Sequence, residues 1–129
     1  MSGTASEWLT FAREDVRVAE LVLNEGIYNQ VCFHSQQCVE KSLKAVLAHL
    51  GHAPPRTHFI ADLLKILPQA WVASLPVKLI QLDVLYTPTR YPDTLPGMLP
   101  DGLPDKEKAE EMLSWARDVL AKAEHYPNQ

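Results

Sequence analysis

"HSQQCVEKSLKAVLAHLG", residues 34–51, decides the fold class. Cys38, Val39, Leu43, Val46 and Leu50 recur at helical spacing, and the run stops at Gly51, the residue type expected just past a helix end. Stepping about 100° per residue from Gln37 puts Gln30 near 20°, Lys41 near 40°, His34 near 60° and Lys44 near −20°. Those five polar side chains make one stripe, and the apolar set covers about 100° to 240° on the opposite face. Amphipathicity alone reads the stripe as a solvated face; the functional reading makes Gln37, Lys41 and Lys44 part of a binding surface. Gln36 and Glu40 fall on the boundary with the apolar face. A carboxylate there is placed to take a partner from a neighbouring helix, with Arg90 one candidate, and Glu40 is also spaced to pair with Lys44.

Working outward, this helix begins near Tyr28, and another precedes it. Thr4 and Glu7 have the spacing of a capping box, Trp8, Ala12, Val16, Ala19 and Leu23 repeat at helical intervals, and Gly26 ends the run. Arg13 and Arg17 read as solvated, balanced by Glu14, Asp15 and Glu20. "HAPPRTH" (52–58) is a stiff connector whose Thr57 is suited to cap a short third helix over "FIADLLKIL", closed by Pro68. Ser74, Leu75 and Pro76 open a fourth, with Leu75, Leu79, Leu82 and Tyr86 on one face and Val77, Ile80 and Val84 beside it. Asp105 caps the last helix, which carries Ala109, Met112, Leu113, Ala116, Val119, Leu120 and Ala123. No segment alternates with the period of a half-buried strand. The expectation is an all-α, up-and-down helical bundle of four long helices plus one short helix, forming one domain over residues 1–129.

A chain of 129 residues is long enough to bury a core without staples. Its net charge of −4 gives no global basic field for nucleic acid or anionic membrane, so RNA would need a local patch. Cys32 and Cys38 sit on one helix and read as reduced core thiols. Residues 1–10 lack the basic start and apolar core of a signal peptide, and no run approaches the length of a membrane span; a cytoplasmic location is expected.

Catalytic signatures are scarce. There is no Gly-x-Ser-x-Gly and no glycine-rich phosphate loop, and nothing calls for a cofactor. His34 and Cys38 are spaced to share an ion, but His49, His52 and His58 offer no fixed ligand spacing, so no metal centre is expected. His58 follows Thr57 and is expected in a helix first turn, where the dipole favours neutral imidazole able to bond a ligand or act as a base. The blander reading is a structural hydrogen bond. "YTPTRYPDTLPGMLPDGLPD" (86–105) has proline at 88, 92, 96, 100 and 104, which forbids helix across 88–104. So long a break is usually functional or disordered. At its head stand Tyr86, Arg90 and Tyr91. The guanidinium fork suits phosphate or carboxylate, and the phenols suit base stacking or packing of the arginine stem. Structurally, Arg90 could instead bridge to Glu40 or Asp83.

The order "WLTFAREDVRVAELVLNEGIYNQVCFHSQQCVEKSLKAVLAHLG", "PPRTH", "LDVLYTPTRYPD" and a final helix resembles the HEPN domain, from Trp8 to about Ala123. Its most specific parts are Gln37-x-x-Glu40-Lys41-x-x-Lys44 and Tyr86-x-x-x-Arg90-Tyr91-Pro92-Asp93. The resemblance implies a homodimeric or higher homo-oligomeric HEPN-like bundle. Many such domains are ribonucleases of toxin–antitoxin modules that use an arginine and, after a short gap, a histidine at the dimer interface. Here Arg90 matches the arginine, but Leu95, Pro96 and Gly97 stand where the histidine would be. The resemblance therefore implies the non-catalytic branch, which accompanies separately encoded nucleotidyltransferases and is associated with nucleotide binding. Its binding residues would be Gln37, Glu40, Lys41, Lys44, His58, Tyr86, Arg90, Tyr91 and Asp93. The alternative is a metal-independent ribonuclease using Arg90 with a substitute acid or base such as Tyr91, Asp93 or His58.

Overall fold

α1 (Ala5–Asn24) starts at the expected capping box: Thr4 Oγ1 accepts from Glu7 N at 3.1 Å, and Glu7 Oε1 accepts from Thr4 N at 3.0 Å. The chain turns at Gly26, in the left-handed region at φ 73°, and enters α2 (Tyr28–His49), which Gly51 closes at φ 83°. These and the following elements come from a computed structural model that describes residues 3–85, 99 and 102–127. Tyr86, Arg90, Tyr91 and Asp93, and most of 88–104, lie outside the described residues.

After the connector come α3 (Ile60–Ile66), the single-turn α4 (Gln69–Val72), a 3-10 helix over Leu79–Leu85, and α5 (Lys106–Glu124). Asp105 caps α5 as expected, its Oδ1 accepting from Lys108 N at 2.8 Å. Just before it, Leu99 and Gly102 exchange two backbone hydrogen bonds at 2.8 and 2.9 Å, and Leu99 packs on the core. The architecture is all-α, with α2 at the centre of the bundle. α1, α5, α3 and the 3-10 helix all pack against it.

Two expectations need correction. The fourth long helix, expected to open at Ser74–Pro76, is instead seven residues of 3-10 helix over Leu79–Leu85, and the single turn α4 stands before it. The reason lies in the leucine spacing: Leu79, Leu82 and Leu85 recur every third residue, and all three are buried. Three residues per turn aligns them on one face, which α-helical winding would not. Val77, Ile80 and Val84 are left exposed.

The second correction concerns the start of α3. Thr57 does not cap it. Thr57 Oγ1 accepts from Phe59 N and donates to Asp62 Oδ2, and the helix begins later, at Ile60. Asp83, more than twenty residues on, supplies the cap: its two oxygens accept from Ile60 N at 2.6 Å and Ala61 N at 3.0 Å. One carboxylate thereby holds the 3-10 helix against the α3 N-terminus, where the helix dipole also favours negative charge.

Asp83→Ala orphans two backbone donors and is expected to cost about 1–3 kcal/mol in urea unfolding. Burial is the largest influence on this carboxyl and raises it above its ordinary value against the pull of the two N–H groups, with Asp62 and Glu40 adding to the rise. A carboxyl so raised favours the folded chain below its unfolded pKa, and that contribution is lost as pH rises through the folded value. The cost of Asp83→Ala should therefore be larger below about pH 4 than at about pH 7. A cost that shrinks on acidification would contradict this assignment.

Candidate functional site on the central helix

The polar residues of α2 are not a solvated stripe. Lys44 is only 4% exposed and Glu40 3%, while Gln36 is fully buried; His34, Gln37 and Lys41 are half-buried. The angular pattern holds, but α1 and the 51–59 connector cover the face that it leaves to water.

Glu40 is the hub. Its Oε2 accepts from Lys44 Nζ at 3.0 Å and lies 3.2 Å from His58 Nδ1. Its Oε1 is buried and has no hydrogen-bond partner among the described residues. Lys44 Nζ also lies 5.4 Å from the centroid of the Trp8 ring, so α1 offers the ammonium a π face. The neighbouring amides join in: Gln37 Nε2 donates to Gln36 Oε1 at 2.6 Å, and Gln36 Nε2 donates to the His58 carbonyl at 3.1 Å. His58 is thus held to α2 by both backbone and ring. It precedes α3 rather than sitting in its first turn, so the helix-dipole argument does not apply to it. Its side chain remains 47% exposed, at the rim of the cluster.

A second cluster joins α1 to the same helix. Asp15 Oδ2 accepts from Lys41 Nζ at 2.6 Å, and Asp15 Oδ1 lies 2.9 Å from His34 Nδ1. Sequence alone makes Asp15 a surface counter-charge for Arg13 and Arg17. It is buried, and the signal was available: it falls between Ala12 and Ala19 on the apolar face of α1, where a carboxylate must bring a partner inward.

His34 turns to Asp15, whereas Cys38 faces α5, its Sγ 3.8 Å from the Ala116 carbonyl, so the two do not converge. Burial pushes both Cys32 and Cys38 up to about 12, which removes them as thiolate nucleophiles. Of the expected site residues, the structure brings together Gln37, Glu40, Lys44 and His58. Lys41 belongs to the adjacent Asp15 cluster. Tyr86, Arg90, Tyr91 and Asp93 lie outside the described residues.

Chemically, the row is a set of mutually compensating charges around one carboxylate oxygen with spare acceptor capacity. All five histidines of the chain are described. His34 and His58 each contact a carboxylate, His49 packs edge-on against Tyr126 at 5.6 Å between ring centroids, and His125 lies 2.7 Å from the Ala121 carbonyl. No helix among the described residues is long and apolar enough to cross a membrane.

The fold recurs in solved structures. A solved structure of an archaeal HEPN homologue superposes with a TM-score of 0.73 at 30% identity, covering 95% of this chain and 96% of that one. A crystal structure of a protein from Thermus thermophilus gives 0.74 at 35% identity, covering 94% and 96%. A Methanocaldococcus jannaschii protein named "putative toxin" is 34% identical over 120 residues, 84% of this chain and 78% of its own length. The HEPN domain model matches residues 5–126, and the chain belongs to the HEPN domain family.

Proposed function

We propose that this protein is a non-catalytic, homodimeric partner subunit of a separately encoded nucleotidyltransferase, and that the segment headed by Arg90 binds a nucleotide phosphate or an acidic group of that partner. The observation that carries this reading is the disposition of the histidines. None stands between residues 59 and 124, so none follows Arg90 at a short gap; His34 on α2 lies against Asp15, and His58 on the connector lies against Glu40. General acid–base work on RNA needs a positioned proton carrier beside the arginine. Arg90-Tyr91-Pro92-Asp93 keeps the binding half of such a site without the histidine. The reading calls on no cofactor.

Light scattering is expected to report a dimer, and in a pull-down purified protein should retain the product of the adjacent gene, which this reading expects to be a nucleotidyltransferase. In calorimetry with nucleotides, losing a charge-assisted contact through Arg90→Ala should weaken binding by about 10- to 100-fold. Absence of both partner and nucleotide binding, or affinities indifferent to Arg90→Ala, would remove the proposal.

A second reading is favoured by one observation, the toxin name carried by the Methanocaldococcus relative. Under it the chain is a metal-independent ribonuclease in which Arg90 works with Tyr91, Asp93 or His58. Incubation with RNA and a chelator separates the two, and the partner reading expects intact RNA. Cleavage that survives the chelator and disappears in Arg90→Ala would establish the ribonuclease, and its response to His58→Gln would show whether His58 takes part.

A further inference from the structure

α1 presents one face to α2 and α5, and no other described element packs on its opposite face. Arg13 pairs with Glu124 at 2.6 Å and Glu20 with Arg117 at 2.8 Å, tying the flank beside α5. Away from that flank, Glu7, Phe11, Glu14, Val18, Leu21 and Glu25 follow one another at alternating steps of four and three residues. That spacing makes a straight seam along a helix, the pattern by which one helix packs along another. Phe11 and Leu21 are each 51% exposed, and Val18 is partly exposed. Glu14 and Glu25 are exposed and have no ion-pair partner among the described residues; Glu7 spends one oxygen on its capping box. Arg17 is exposed and, by helical spacing, falls between the seam and the Arg13–Glu20 flank.

The charges decide what the seam fits. A second copy packed in parallel about a two-fold axis would set Glu7, Glu14 and Glu25 each against itself. An antiparallel copy centred on the seam would set Glu7 against Glu25. Either arrangement opposes like charges at its ends, which disfavours self-pairing. We infer that the Phe11–Val18–Leu21 seam of α1 is a docking surface for a helix of another protein that carries an apolar row flanked by lysine or arginine. The natural candidate is the nucleotidyltransferase partner, so the inference rests on the partner reading above.

The test is calorimetry between the purified protein and the nucleotidyltransferase that the partner reading expects the adjacent gene to encode, at two salt concentrations. Phe11→Ser with Leu21→Ser should weaken binding by about 100-fold, as loss of two apolar anchors does. Glu14→Lys with Glu25→Lys should weaken it by about 10-fold and flatten the fall of affinity with salt seen for the wild type. Melting curves of both variants should match the wild type, because these side chains are exposed. If the nucleotidyltransferase binds wild type and both variants alike, the seam is not its dock while the partner reading stands. No binding to wild type removes the partner reading and this surface with it. A Phe11/Leu21 variant that becomes monomeric while the wild type is dimeric would assign the seam to self-association and overturn the inference.

Discussion

Glu40 and Lys44 form an ion pair almost wholly withdrawn from water, and much of the bundle is arranged around satisfying it. On an exposed helix such an i, i+4 pair contributes a few tenths of a kcal/mol. Buried, each charge carries a desolvation cost of several kcal/mol, which attraction and added hydrogen bonds must offset. Trp8 from α1 covers the ammonium, His58 from the connector meets the carboxylate, and Gln36 holds the same connector through the His58 carbonyl. The pair thereby fixes where α1 and the 51–59 segment run relative to α2. Asp83 extends the arrangement one element further, fastening the 3-10 helix to the start of α3.

Local features of the chain were legible in the sequence because their causes are local. The Thr4–Glu7 box, the Gly26 and Gly51 stops and the Asp105 cap all depend on residues within one turn. The misreadings share an opposite origin. Thr57 resembles a cap because it stands at the right place, yet Asp83 reaches the orphan donors from another element. Lys44 reads as solvated because periodicity reports one helix at a time and says nothing of what packs over it. The leucine triplet at 79, 82 and 85 fits loosely on an α-helical face, while its spacing of three already suits a 3-10 turn. Glu40 is the buried charge that the pattern places at the edge of the apolar face; Asp15 reads as a surface counter-charge, although its place between Ala12 and Ala19 carries the signal of burial.

For function, the consequence is that α2 supplies a platform rather than a set of free catalytic groups. Its acids and bases compensate one another, and the exposed part of the cluster is His58 at the rim. Family membership gives the scaffold, and the departure at Leu95, Pro96 and Gly97 directs the reading toward binding. The spare acceptor at Glu40 Oε1 is consistent with a site that receives a donor; an orphan of that kind costs about 1–3 kcal/mol or more while it lasts. The acidic seam on α1 adds a second surface, well suited to a basic partner.

The central claim is that the α2 row is a structural network organised by Glu40 and Lys44. A double-mutant cycle in urea unfolding, with Glu40→Gln, Lys44→Met and the combination, tests it most directly. The account predicts a coupling energy of about 2–3 kcal/mol, with the double variant more stable than either single one. Additive losses, with coupling near zero, would contradict it.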